Sequence, residues 1–498
     1  MGGQIGGSGN FNMFSMNTVI PYEGMINENY FPIRERETNL AASLELFKST
    51  TKNPFNKQLE YFIGLLVKSK YDGIGRQLDE IDISIALDIS GSMTIQMEKK
   101  PTFKEMFEKE NMEQNQADRN GGEVRIEMAK NCLFKLINSM TDKMKMALTT
   151  FDTESKVIMP LSPKQELLSI SHRINSITAN GGTDLTVALK GAADCLAEST
   201  AKFKRVIIIT DGWDSSDEFI NLAKELNQKD ILVTILSIDS GSNSEMYSKF
   251  SELKGCNYYF ILNEEDMEKY LIKQLNYICF PALYDLKVNF ESSDAYLIRA
   301  IGCGNDNEKK EEGTPNTPKK ELINAKTIFP SDLKQLNEKY YQEGGLILLK
   351  IIPKSSDKNC KINIKLSYEE IEGNKYENNY EIDFTVDELK TENNSPEMQK
   401  GLAIYYFTKF LRKIKKFMNL NVEFTHMGPK ENPIQKKPDK KYFDFLSRNF
   451  ENYDKIKIFF NDNYNNDINE YQKEYYVKSL DKEYKECEKK MKEYQNYY

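Results

Sequence analysis

The sequence has little of what zinc sites and histidine-based catalysis require. Its 498 residues include two histidines, one tryptophan and seven cysteines, and no two cysteines stand in a C-x-x-C pair. A zinc site and a disulfide framework are therefore both disfavoured. The nucleophile motif G-x-S-x-G, the zinc-protease motif H-E-x-x-H and the phosphate-binding motif G-x-x-x-x-G-K-[ST] are also missing, so three common enzyme classes are not indicated.

Other absences limit the kinds of partner and the cellular compartment that the sequence makes plausible. No apolar run reaches the length of about 18 residues that a membrane span needs, so no span is expected. A net charge of -8 argues against a general nucleic-acid binder, which needs a basic face. The N-terminus lacks the basic and apolar regions of a secretory signal, and scattered thiols suit a reducing compartment. A cytoplasmic location is therefore expected.

The chain alternates strand and helix patterns over residues 79–280. Largely apolar runs such as Ile83–Leu87, in which Ser84 is the one polar residue, and Val206–Ile209 are typical of strands buried on both faces, and segments with helical spacing separate them. This order predicts an α/β unit, a doubly wound and mostly parallel sheet of Rossmann-like type. Residues 94–122 are charged and end in Gly-Gly, which favours an exposed insertion.

The rest of the chain is predicted to form four further regions. Residues 1–20 are Gly-rich and expected to be flexible, and 21–78 form a lead-in segment that is a candidate to complete a β-domain. Short strands separated by polar segments over 281–392 predict an antiparallel β-sandwich. Residues 393–498 have helical spacing and predict a helical C-terminal region.

Three loops of the α/β unit carry hard oxygen donors. Asp88, Ser90 and Ser92 follow one buried strand, Asp211 ends another, and Thr183 follows a Gly-Gly turn before a helix. In an open parallel sheet such loops meet at the carboxyl edge, where ligands bind. Carboxylate and hydroxyl oxygens suit Mg²⁺ or Mn²⁺, and five donors acting partly through water leave a position for an acidic group of a partner.

These residues resemble a known motif. D-x-S-x-S at 88–92, Thr183 in G-G-T-D and Asp211 in T-D-G are similar to the metal-ion-dependent adhesion site (MIDAS) of von Willebrand factor A-type domains, with all five ligand positions present. The resemblance implies that the serines and the threonine contact the metal, that the aspartates bind it directly or through water, and that a partner's Asp or Glu completes the shell.

The resulting functional hypothesis is a non-enzymatic, metal-dependent protein-binding module with a scaffold role. Two alternatives stay open: a metal-assisted hydrolase using the same ion, and an A-domain subunit of an ATPase-coupled assembly. Trp213 follows Asp211 and Gly212, so it either packs the rim or contacts a partner. Asp152 and Asp184 are expected to serve as turn or helix-cap residues.

Overall fold

The computed structural model describes most of the chain. The longer described segments are residues 38–97, 123–212, 217–238, 252–261, 263–302, 321–336, 338–422 and 440–464, with shorter ones from residue 22 onward. Most of the predicted 94–122 insertion, the Gly-rich 1–20 segment and Trp213 lie outside the described residues.

A six-stranded mixed sheet forms the centre of the α/β unit. Its strands are, in chain order, β4 (Ile81–Asp88), β5 (Lys145–Phe151), β6 (Ser155–Pro163), β7 (Phe203–Thr210), β8 (Ile231–Ile238) and β9 (Asn257–Ile261). The spatial order is β6-β5-β4-β7-β8-β9, and only the β5–β6 hairpin is antiparallel. The prediction of a mostly parallel α/β sheet is therefore confirmed.

Helices cover both faces of this sheet. They are α1 (Arg125–Ser139), α2 (Lys164–Ile170), α3 (Leu185–Asp194), α4 (Asp217–Asn227), α5 (Glu264–Glu268) and α6 (Leu275–Ile278). Strand side chains alternate between the faces: Ile85 of β4 packs in the cluster that contains α1, whereas Ala86 packs in the cluster that contains α3 and α4. All eight residues of β4 are buried, which explains why four of the five residues between Asp82 and Asp88 are apolar.

Two helical segments are less regular than the sequence suggests. Residues 164–177 have helical spacing, but the helix ends at Ile170 and continues as a 3₁₀ turn, Ser171–Ile174. Residues 264–278 also have helical spacing, but a π-helical turn, Lys269–Lys273, separates α5 from α6. Apolar periodicity tolerates such changes of hydrogen-bond register, because the same side chains still reach the core.

The remaining strands build three antiparallel sheets. They are β1 (Tyr30–Ile33), β2 (Ser43–Lys52), β3 (Leu59–Lys68), β10 (Leu283–Glu291), β11 (Ala295–Ile301), β12 (Glu321–Ile328), β13 (Leu333–Leu336), β14 (Lys339–Glu343), β15 (Leu346–Pro353), β16 (Cys360–Glu369), β17 (Lys375–Phe384) and β18 (Asn393–Asn394). The sheet orders are β1-β14-β13, β12-β10-β16-β17 and β11-β15-β3-β2-β18.

The four-stranded and five-stranded sheets share one buried cluster. Ile63 of β3 and Leu349 of β15 pack in it with Val288 of β10 and Ile364 of β16. Strands β2 and β3 thus bring the segment before the α/β unit into the same layer as β11 and β15. Two antiparallel sheets with a common core thus lie in the region where a β-sandwich is expected. That this β-sandwich is a separate domain stays a prediction.

Three further helices lie entirely within the described residues and follow β17 in the chain. They are α7 (Val386–Lys390), α8 (Pro396–Val422) and α9 (Lys440–Asn463). The N-terminal half of α8 packs against the other face of the five-stranded sheet through an aromatic cluster that includes Phe62, Tyr405, Tyr406 and Phe407. In the part of the chain that the structure describes, no helix is long and apolar enough to cross a membrane.

The aromatic cluster encloses a lysine. Lys400 of α8 is 3% exposed, and its Nζ donates a hydrogen bond to the carbonyl oxygen of Tyr30 at 2.9 Å. The ammonium lies 4.9 Å from the ring centroid of Tyr464 and 5.7 Å from that of Phe31. Burial lowers the pKa of Lys400 from its ordinary 10.5 to about 7, because the charged form loses its hydration.

This lysine is expected to make stability pH-dependent. Between pH 7 and 10.5 the unfolded chain binds a proton at Lys400 that the folded chain does not, so stability falls as pH drops through that window and levels off below it. The slope is about 1.4 kcal/mol per pH unit. Lys400→Met should therefore gain stability relative to the wild type on going from pH 9 to pH 7, measured as urea-unfolding free energies.

The control for this prediction is Lys375→Met, because the Lys375 side chain is 81% exposed. Its stability should follow the wild-type pH dependence. A Lys400→Met profile parallel to that of the wild type would contradict the assigned pKa.

Candidate metal centre

The candidate site lies where the connections of the central sheet diverge. Strands β4 and β7 are parallel neighbours, and their carboxyl ends are Asp88 and Thr210. The chain leaves β4 toward α1 on one face, whereas α3, which leads into β7, covers the other. Such a switch point leaves a crevice at the carboxyl edge of the sheet, the usual position of ligand sites in open α/β folds.

Four of the five predicted ligands form one hydrogen-bonded chain. The backbone N–H of Ser90 donates to Oδ1 of Asp88 at 2.7 Å, which folds the loop back onto the end of β4. The hydroxyls of Ser90 and Ser92 lie 3.0 Å apart. Ser92 Oγ then donates to Oδ1 of Asp211 at 2.7 Å, which joins the loops after β4 and β7.

Asp88 is the most deeply buried member of this hydrogen-bonded chain. It has no exposed surface, and its Oδ2 accepts a hydrogen bond from the Thr210 hydroxyl at 2.5 Å. Burial raises the pKa of Asp88 above its ordinary range, and the negative charge of Asp211 acts in the same direction, against the opposing hydrogen bonds. A carboxylate in this position is stabilised by a nearby cation.

The fifth predicted ligand, Thr183, lies at the exposed rim. Its side chain contacts Gly212: a Cβ at that position would stand 2.7 Å from Thr183 Cγ2 and 3.0 Å from Oγ1, so only glycine allows the close approach. The loop that contains Thr183 also contacts the loop after β4, because the Gly91 N–H donates a hydrogen bond to the Gly181 carbonyl at 3.0 Å. The structure thus brings all three predicted loops together.

Arg125 is a site residue that the sequence does not reveal. It is the first residue of α1, and its Nη1 donates to Oδ2 of Asp211 at 2.5 Å. The Arg125 side chain is 11% exposed and that of Asp211 is 0% exposed, so the ion pair is buried. Nothing in the local pattern separates this arginine from a solvated residue on a helix surface.

Comparison with known families bears on the α/β unit. Residues 82–274 match the family model described as the von Willebrand factor type A domain. This segment contains the whole central sheet except the first residue of β4, and it includes all five predicted ligands.

Residues 82–274 form a von Willebrand factor A domain. A comparison with curated protein sequences found no significant match. Among solved structures, a von Willebrand factor type A protein from Catenulispora acidiphila is 11% identical, with 86% of this chain and 87% of that chain covered at a TM-score of 0.42. The ArnB paralog VWA2 from Sulfolobus acidocaldarius is 13% identical, with 90% and 98% covered at a TM-score of 0.36.

The donor set of the A domain fits a hard divalent cation. Magnesium binds oxygen ligands at about 2.0–2.1 Å in an octahedron, so two ligands on neighbouring corners stand about 3.0 Å apart. The hydroxyl oxygens of Ser90 and Ser92 have this separation. Asp88 and Asp211 supply negative charge, and Thr183 adds a further hydroxyl at the rim. The described residues hold no group of three or more His, Cys, Asp or Glu side chains placed for a metal, so the serines and the threonine are essential to this assignment.

Two carboxylates near the edge have structural roles. Asp184 is the N-cap of α3, where its side chain accepts hydrogen bonds from the backbone N–H groups of Thr186 and Val187. Asp152 accepts from the Glu154 N–H at 2.8 Å and packs against Gly181. Both predictions of a turn or cap role are therefore confirmed. Trp213, the predicted rim residue, is not among the described residues.

Proposed function

We propose that this protein is a metal-dependent protein-binding module. Asp88, Ser90, Ser92, Thr183 and Asp211 would hold Mg²⁺ or Mn²⁺ at the carboxyl edge of the A domain. When bound, the ion would supply a Lewis-acidic position for an Asp or Glu side chain of a partner. A von Willebrand factor A domain is commonly a protein-interaction module, which agrees with this assignment.

The observation that carries the proposal is the continuous contact between loops that are distant in sequence. Ser92 Oγ contacts Asp211 across 119 positions of the chain, and Thr210 contacts Asp88 across 122. These contacts hold two carboxylates close together, and the Arg125 guanidinium offsets only one of the two charges, so a bound cation would lower the free energy of the cluster. The same loops place the hydroxyl oxygens of Ser90 and Ser92 3.0 Å apart, a separation that two ligands of one magnesium ion would have.

We further propose that the site is not enzymatic. Among the described residues, the ionisable side chains hydrogen-bonded within this cluster are Asp88, Asp211 and Arg125. The two carboxylates are assigned as ligands, and a guanidinium does not act as a general base at neutral pH. His172 lies exposed in the 3₁₀ turn after α2, away from the hydrogen-bonded chain.

The test is a capture experiment with the full chain as bait. Wild type and Ser90→Ala are incubated with extract of the source cells in Mg²⁺ or in EDTA, and retained proteins are identified by mass spectrometry. We expect a set of proteins that the wild type retains in Mg²⁺ and loses in EDTA, and that Ser90→Ala does not retain in either condition.

The matched control is Ser169→Ala, an exposed serine of α2 whose hydroxyl donates only to the Glu166 carbonyl. It should retain the wild-type set. Identical sets in Mg²⁺ and EDTA would overturn the proposal and move the binding surface away from the A-domain edge.

A further inference from the structure

The start of helix α1 is fixed beside the metal loop. The Arg125 N–H donates to the Ile95 carbonyl at 3.1 Å, and Met97 N–H donates to the Glu123 carbonyl at 2.9 Å. Gln96 and Val124 form an isolated antiparallel bridge between these two segments. The backbone of Arg125 is therefore held against the residues that follow Ser92, and its position relative to the site does not depend on the guanidinium contact alone.

The side chain of Arg125 adds a fixed charge to the site. A guanidinium stays positively charged at physiological pH, so it offsets one of the two carboxylate charges of Asp88 and Asp211. Its loss would therefore make the charge of the site one unit more negative, both with and without a bound divalent cation.

We propose that Arg125 is a positioning and specificity-determining residue that weakens metal binding and strengthens capture of an anionic partner group. The inference rests on the proposed function of the site. Arg125 repels the cation through space and engages Oδ2 of Asp211, leaving Oδ1 toward Ser92. The positive charge of Arg125 attracts a carboxylate to the loaded site more strongly than it attracts a neutral ligand.

A purely structural arginine would behave differently. If the Arg125–Asp211 pair served only to hold the loops together, its loss would weaken the binding of both metal and carboxylate. The electrostatic role predicts changes of opposite sign for the two ligands. The comparison of the two affinities therefore separates these explanations.

The experiment uses the full chain with Mn²⁺ as the metal probe and acetate as the carboxylate probe. Free Mn²⁺ is quantified by electron paramagnetic resonance, and acetate binding to the Mn²⁺-loaded protein is followed by water proton relaxation. Arg125→Gln should bind Mn²⁺ about tenfold more tightly and require about tenfold more acetate, the size expected for removing one partly buried unit charge. Arg125→Lys, which keeps the charge, should bind Mn²⁺ like the wild type.

The control is Arg173→Gln, an exposed arginine of the same domain that donates to the Ile158 carbonyl. It should match the wild type in both titrations.

Weaker binding of both probes by Arg125→Gln would overturn the inference and leave the proposed function intact. If neither the wild type nor Arg125→Gln binds Mn²⁺ while circular dichroism shows both folded, the proposed function fails and the inference with it. If Arg125→Gln does not fold, a tenfold change in Mn²⁺ affinity for Arg125→Lys would still overturn the charge argument.

Discussion

Replacement of Asp88 by asparagine is expected to weaken Mg²⁺ binding by at least about 100-fold, because even residues behind the ligands change metal affinity by about 10–100-fold. Asparagine keeps the size of the side chain and can still accept the Ser90 N–H. It removes the negative charge that would neutralise the cation, and it places a donor where the carboxylate now accepts from Thr210. Titration calorimetry with Mg²⁺ would measure the loss.

The fold should survive this change. Because burial raises the pKa of Asp88, its charge is costly in the absence of a cation, and the neutral amide avoids that cost. In EDTA the thermal midpoint of Asp88→Asn should therefore be no lower than that of the wild type. In Mg²⁺ only the wild type should gain stability, since a ligand stabilises the state that binds it.

Asp142→Asn provides the control for this experiment, because Asp142 is exposed and precedes β5 at the opposite edge of the sheet. Its Mg²⁺ affinity should equal that of the wild type. If Asp88→Asn binds Mg²⁺ as tightly as the wild type, the metal does not bind at the end of β4.

The second large effect is expected at Arg205, at the other end of the same sheet. This arginine of β7 is 0% exposed, and its hydrogen-bond partners in the described part of the chain are backbone carbonyls and one hydroxyl. The guanidinium donates to the carbonyls of Cys279 and Gly255, the latter at 2.9 Å, and to Thr234 Oγ1 at 3.2 Å. Burial lowers the pKa of Arg205, which marks the cost of holding this charge out of water.

Arg205 also lies next to the contact between the A domain and the antiparallel sheets. Its guanidinium stands 5.9 Å from the ring centroid of Phe329, which follows β12. The Gly255 N–H donates a hydrogen bond to Thr327 Oγ1 of β12 at 2.7 Å. Gly255 therefore contacts β12 through its N–H and Arg205 through its carbonyl oxygen. The arginine therefore supports both the sheet and its junction with β12.

Arg205→Met should lower the free energy of unfolding by about 3 kcal/mol, since each buried carbonyl left without a donor costs about 1–3 kcal/mol and relief of the buried charge offsets part of the loss. Urea unfolding followed by circular dichroism would measure it. Arg173→Met, on the exposed surface, should change stability by less than about 0.5 kcal/mol. A loss below 1 kcal/mol at Arg205 would mean that the carbonyls find other donors.

Two features of the A domain could be predicted from local patterns. The buried strands β4 and β7 appear as largely apolar runs, because a strand covered by helices on both faces places most of its side chains in a hydrophobic core. The polar residues that follow such strands must meet at one edge, because parallel strands share a direction. For this reason Asp88 and Asp211 could be brought together without coordinates.

The antiparallel region was predicted less completely. Short strands are predicted over 281–392, but β12, β13 and β14 are not among them, and β2 and β3 lie in the lead-in segment that is only a candidate to complete a β-domain. Strand β3 pairs with β15 far along the chain, with Leu66 opposite Leu346. Local sequence does not encode such a partner, because strand pairing depends on which apolar surfaces remain uncovered after the rest has folded.

The sequence by itself determined the α/β unit and the edge of its sheet at which the loops with the five candidate oxygen donors lie. Only the tertiary structure decided that Arg125 pairs with Asp211, that Thr210 holds Asp88 and that Lys400 is enclosed by aromatic rings. The reason is physical. Donor type and strand direction are properties of short segments, whereas the burial and pairing of a charge depend on the side chains that distant segments place around it.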